Sequence, residues 1–187
     1  MLVGFGIASV LALGCGYKLF TSKARTPEVT VQAASTARPH IDRSVPELRS
    51  AINKPLPEAR LVDIKGTTLP DESLRRGKVV LVFANTKCGA CLTEAEFLRT
   101  VINKRPDISF YGVATLGNKD ALLTGSEELF PFKTFYDDEA MLTQNLGITR
   151  MPIKIFLEDG VVKETWGGAS KSQEIQADFI EWVEQVK

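Results

Sequence analysis

Residues 79–91 read Val-Val-Leu-Val-Phe-Ala-Asn-Thr-Lys-Cys-Gly-Ala-Cys, and this stretch decides the fold. Val79, Val80, Leu81, Val82 and Phe83 form an unbroken apolar run, the pattern of a central strand buried on both faces. The stretch ends in a Cys-x-x-Cys pair, Cys88 and Cys91, and beyond it Leu92, Ala95, Phe97, Leu98, Val101 and Ile102 recur at helical spacing. A strand therefore runs into a helix, and Cys88 falls at the helix N-terminus. Unpaired backbone N–H groups and the helix dipole stabilise an anion there. Because the thiolate is the reactive form of cysteine, Cys88 is expected to be the exposed nucleophile. Cys91 lies three residues on, on the same helix face, at a spacing that can close a disulfide. It is expected to be the shielded thiol that resolves a mixed disulfide. A Cys-x-x-Cys at a strand-to-helix junction is a much stronger redox signal than the same pair elsewhere.

Working outward, residues 108–114 again read as a strand, so the first crossover is a βαβ unit with parallel neighbours. A helix is expected over 119–129, a short extended piece over 133–136 ahead of the acidic turn Asp137-Asp138, and a helix over 139–146 closed by Gly147. Strands at 153–157 and 161–166 are joined through Asp159-Gly160, a strong hairpin signal. A helix over 172–186 closes the chain, with Ile175, Phe179, Trp182, Val183 and Val186 on one face. Upstream, residues 59–64 and 67–69 flank Lys65-Gly66 as a short hairpin. The fold class is α/β: a mixed central sheet covered by helices on both sides, carried by residues 58–187.

Residues 21–57 differ in composition. They hold five of the nine prolines (Pro27, Pro39, Pro46, Pro55 and Pro57) and read as an extended basic tether, with a short helical piece near 47–53. His40, the single histidine, sits in this tether with nothing to hold it in a catalytic position. Residues 1–17 carry no charged side chain and are rich in Leu, Val, Ile and Phe, so residues 1–20 are expected to be a membrane anchor or signal segment. Within it, Leu11-Ala12-Leu13-Gly14-Cys15 resembles a bacterial lipoprotein processing site, which would make Cys15 a lipidation site. The competing reading makes Cys15 a small apolar residue of a membrane helix, because no Lys or Arg precedes the apolar run. Lys18, Lys23 and Arg25 follow it, which by the positive-inside tendency argues for a cytoplasmic domain.

Composition excludes several classes. With 44% apolar and 25% charged residues the chain can bury a core, and global disorder is ruled out. Net charge is zero, but residues 1–57 hold seven Lys/Arg against three Asp/Glu, which suits lipid head groups. Nothing resembles a basic, aromatic-interleaved nucleic-acid surface. Three cysteines cannot form a disulfide scaffold, and one histidine with a single Cys-x-x-Cys does not complete a structural zinc site.

The motifs together resemble the thioredoxin-like superfamily. The strand and motif of 79–91 look like its active-site segment, GITRMPI (147–153) resembles its cis-proline loop, and FLEDGVVKETWGGAS (156–170) is similar to its final hairpin and glycine turn. The added N-terminal hairpin, the apolar N-terminus and Glu94 resemble the TlpA-like branch, which includes membrane-anchored reductases of cytochrome c maturation. This resemblance implies a thiol–disulfide oxidoreductase whose redox centre is the Cys88–Cys91 disulfide itself, with no further cofactor. It implies a disulfide- or dithiol-containing client protein, a membrane redox donor and an extracytoplasmic domain. It makes Pro152 the cis-proline, with the Met151 backbone presented to a bound substrate chain. It also gives Glu94 the task of managing the proton of the buried cysteine, from a desolvated position. Thioredoxins proper use a buried aspartate on the preceding strand, where this chain has Val82. Lys87 replaces the usual aromatic before the first cysteine, Gly89 and Ala90 lie between the cysteines, and these three are expected to tune the potential. Glu96 replaces a helix-kinking proline, so that helix is expected to be straighter. Two other functions fit a cysteine pair: a peroxiredoxin-like peroxidase, which wants a proline that residues 83–87 lack, and a copper or zinc carrier.

Overall fold

The apolar run becomes the central strand of a six-stranded sheet. The computed structural model describes residues 42–115 and 117–185; the expected anchor with Cys15, and His40, lie outside them. Among the described residues no helix is long and apolar enough to cross a membrane. The strands are β1 (Leu61–Val62), β2 (Lys78–Ala84), β3 (Ile108–Ala114), β4 (Thr134–Asp137), β5 (Ile153–Glu158) and β6 (Val161–Gly167). The helices are α1 (Glu72–Arg75), α2 (Gly89–Ile102), α3 (Lys119–Leu129), α4 (Met141–Leu146) and α5 (Gln173–Gln185). The sheet order is β1-β4-β3-β2-β5-β6. β2, β3 and β4 run parallel through the α2 and α3 crossovers, while β5, β6 and β1 pair antiparallel with their neighbours.

Alternation along β2 divides the core. Val79, Leu81 and Phe83 face one apolar cluster with Val113, Phe135, Ile153, Ile155, Leu157, Leu142 and Leu146. Val80, Val82 and Ala84 face the other, packed on Cys91, Ala95, Leu98 and Val101 of α2 and on Phe179, Trp182 and Val183 of α5. Both faces are therefore buried, as an unbroken apolar strand requires. The mixed sheet flanked by helices matches the expected fold.

The folded unit begins earlier than position 58. The described residues from 42 onward belong to one unit, and Val45, Leu48 and Leu56 are buried in its core. A 3-10 turn covers Pro46–Ala51. Gly167 N–H donates to the Arg43 carbonyl, Val45 N–H to Thr165 Oγ1, Asn53 N–H to the Val162 carbonyl and Leu56 N–H to the Gly160 carbonyl. The second half of the expected tether thus covers the outer edge of β6, which would otherwise present unpaired backbone groups. Its prolines mislead because proline is tolerated at sheet edges as well as in linkers.

The helix expected over 139–146 starts only at Met141. Glu139 and Ala140 sit at positive φ, 56° and 54°, after a 3-10 turn over Asp138–Ala140. The cause is Asp137, whose buried carboxylate accepts from the Leu142 and Thr143 N–H groups and from Thr143 Oγ1 at 2.5 Å. That side chain does the work of an N-cap from several residues upstream.

Candidate active site

Asn85 turns the chain out of β2. Its Oδ1 accepts from the Lys87 N–H (2.8 Å), its Nδ2 donates to the Thr115 carbonyl just past β3 (3.3 Å), and its own carbonyl accepts from the Cys88 N–H (3.0 Å). This Asx-type turn delivers Cys88 to the N-cap of α2. The Cys91 N–H then lies 3.2 Å from Cys88 Sγ and donates to it. The Leu92 N–H, at 3.1 Å, donates to the Cys88 carbonyl.

The two thiols are free and unequal. Cys88 is partly exposed and Cys91 is 0% exposed. Burial, reinforced by the hydrogen bond with Cys88, pushes the Cys91 thiol up to about 12, against opposing pulls from the Asn85 backbone and Lys154. Cys91 therefore remains a thiol at neutral pH and must lose its proton before it can attack.

The Met151–Pro152 peptide bond is cis. Met151 is half-buried, packs at the margin of the same apolar cluster as Cys88, and its Sδ accepts from Thr115 Oγ1 at 3.8 Å. Pro152 is buried, and its carbonyl accepts from the Gly168 N–H at 2.9 Å. Lys87 and Gly89 are exposed, with open space around a Cβ at Gly89, and Ala90 is half-buried. Glu96 is exposed.

Glu94 is 1% exposed, in the desolvated position expected for it. One of its oxygens accepts from the Ser170 N–H at 2.5 Å and the other from Ser170 Oγ at 3.3 Å. It also forms an ion pair with Lys154, Nζ to Oε1 at 2.5 Å. Lys154 and Asn85 are the residues that sequence reasoning missed. For Lys154 the signal was one lysine within the apolar strand Ile153–Glu158; for Asn85, a small turn-forming residue between strand and motif.

No family model matches the chain, and no curated protein matches it. Solved structures do. MTB dsbF, solved in mixed oxidized and reduced forms, is 24% identical, with a TM-score of 0.60 over 71% of this chain and 96% of that one. A secreted Mycobacterium tuberculosis disulfide oxidoreductase homologous to E. coli DsbE is 22% identical, with a TM-score of 0.57 over 68% and 95%. The thioredoxin domain of a thiol-disulfide oxidoreductase from Bacteroides vulgatus is 19% identical, with a TM-score of 0.60 over 72% and 96%.

Proposed function

The chain has the thioredoxin-like fold, and from that premise we propose that it is a protein thiol–disulfide oxidoreductase acting through a mixed disulfide. The observation that carries the reading is the asymmetry of the cysteine pair. Cys88 is reachable and receives an N–H at its sulfur, while Cys91 is sealed behind it with a thiol pushed up to about 12. Cys88 attacks a client disulfide, displacing one client thiolate and forming a mixed disulfide. Cys91 gives up its proton, attacks Cys88 Sγ, and leaves the Cys88–Cys91 disulfide and a reduced client. Glu94, buried on the same helix, receives that proton. Met151 and Pro152 line the approach of the client backbone, and Lys87, Gly89 and Ala90 set the potential around the exposed sulfur. The similar structures named for disulfide oxidoreductases support this chemistry.

The domain works as a reductase tethered to a membrane by the charge-free apolar residues 1–17. The resemblance to the TlpA-like branch, set above the positive-inside signal of Lys18, Lys23 and Arg25, supports the extracytoplasmic side, where a membrane donor returns it to the dithiol. The test is to express the full chain as Cys91→Ser and isolate mixed disulfides with Cys88. Captured proteins identify the client and its compartment. Insulin reduction by the unsubstituted chain, lost in Cys88→Ser, is the matching expectation in vitro. Failure of Cys88 and Cys91 to form an internal disulfide under mild oxidation would refute the reading.

A further inference from the structure

A lysine inside a strand built from Ile153, Ile155, Phe156 and Leu157 is expensive to bury, yet Lys154 is 0% exposed. Its surroundings are specific on every side. Glu94 of α2 lies at 2.5 Å, the Gly168 carbonyl beyond β6 accepts from Nζ at 2.7 Å, and the Phe179 ring of α5 lies 5.2 Å away. Arg43 of the edge segment adds a second positive charge to its environment. Cys91 lies one helical turn before Glu94 on α2, and Val82, the residue opposite Lys154 in the sheet, belongs to the same buried cluster as Cys91, so the ammonium and the buried thiol share the α2 face of the sheet. Burial pulls Lys154 below the ordinary lysine value and Arg43 adds to that, while Glu94 and Cys91 pull it back up. Apolar residues of similar volume commonly replace a buried ion pair without loss of stability, so the fold alone gives no reason to keep this one.

We propose that Lys154 is the counter-charge of the resolving thiol. Held by Glu94 and the Gly168 carbonyl, its ammonium group stabilises the Cys91 thiolate during the step that breaks the mixed disulfide. This rests on the exchange reading above. In that step the Cys91 S–H proton passes to the Glu94 carboxylate. The Cys91 sulfur then forms a bond to Cys88 Sγ with its freed electron pair, and the bond from Cys88 Sγ to the client sulfur breaks. The client leaves as a thiolate, so the client disulfide is reduced by two electrons and the cysteine pair is oxidised by two. Lys154 gives and takes no proton. Its charge lowers the cost of the negative sulfur at a site closed to water, where such a charge acts most strongly. Glu94 serves twice, as proton acceptor and as the anchor that keeps the ammonium in place.

The two sulfur steps separate in one trace when the reduced full chain, as Cys15→Ser in detergent, reacts with 5,5′-dithiobis(2-nitrobenzoate). Cys88 releases the first nitrothiobenzoate and Cys91 the second. In Lys154→Met the first phase is expected within twofold of the parent. The second phase is expected at least tenfold slower at pH 7 and to recover at higher pH. A rise of the midpoint of its pH profile by about one unit corresponds to that tenfold change. Should Lys154→Met not fold, Lys154→Gln keeps an amide donor for Glu94 and the Gly168 carbonyl without the charge, and must show the same slow second phase with an unchanged first. A second phase of parental rate and pH profile in either folded variant overturns the proposal, even if stability falls. Release of only one equivalent by the parent would instead remove the exchange reading itself.

Discussion

Lys154→Met and Glu94→Gln should each destabilise the protein, and the loss in Glu94→Gln should depend on pH. The two side chains are 0% and 1% exposed and 2.5 Å apart, so removing either strands the other as a buried charge. Breaking such a pair costs roughly 3–5 kcal/mol. For the stranded ammonium the one escape is a change of protonation, and its cost follows from linkage at about 1.36 kcal/mol per pH unit. In Glu94→Gln the lone ammonium, already held low by burial, must release a proton on folding. Against an ordinary lysine value near 10.4, that costs about 4.6 kcal/mol at pH 7; the penalty vanishes above about pH 10.4 and grows as pH falls.

Urea unfolding of the parent, both single variants and the double variant at pH 5, 7 and 9 reads this slope, provided the m values agree. Relative to the parent, Glu94→Gln should regain about 2.7 kcal/mol between pH 7 and pH 9. The double variant should not show this slope. Singles within about 1 kcal/mol of the parent at pH 7, or a Glu94→Gln loss that does not change with pH, would mean that water reaches the pair and that the burial argument fails.

Two further outcomes test the fold and the site. A Cβ at Gly112 of β3 would overlap Thr134 Oγ1 and lie 2.9 Å from Phe132 Cε2. Gly112→Ala should therefore lower stability by about 1–3 kcal/mol in denaturant unfolding, part of it restored by Thr134→Ala, and an unmoved midpoint would contradict the β3–β4 packing. Iodoacetamide at pH 8 followed by peptide mapping should label Cys88 and spare Cys91. Cys91 is 0% exposed and pushed up to about 12, so only about one molecule in ten thousand carries its thiolate at that pH. Equal labelling of the two would contradict the sealed position of Cys91.

The sheet was legible wherever a residue's burial followed from its neighbours in sequence. The runs at 79–83, 108–114 and 153–157 became β2, β3 and β5, and the helical spacing after Cys91 became α2. What escaped depended on partners distant in the chain. Val45, Leu48 and Leu56 are core residues because the segment folds along β6, an event that three apolar residues set among prolines do not announce. Asp137 reads as half of an acidic turn, and only its capture of the Leu142 and Thr143 N–H groups explains why the following helix starts late. Within the site, the helix-end position of Cys88 and the burial of Cys91 were readable from local pattern. Lys154 was not, because its side chain is defined by Glu94 on another element.

The sign of the buried field beneath the cysteines follows from where the charges enter. The antiparallel register sets Lys154 opposite Val82, so both side chains lie on the α2 face of the sheet. Val82 is the position where thioredoxins proper carry a buried aspartate. Here that position is apolar, and the charge comes instead from the neighbouring strand with the opposite sign. A lone carboxylate near a buried thiol would oppose thiolate formation by like-charge repulsion. In this chain the carboxylate of Glu94 is tied to Lys154 and Ser170, and Lys154 is the ion that pulls the Cys91 thiol downward. An ion pair with its positive end acting on the sulfur favours the attacking thiolate while its negative end remains available for the proton. β5, which follows the cis Met151–Pro152 bond directly, thus carries in Lys154 the charge proposed to act on the sealed cysteine.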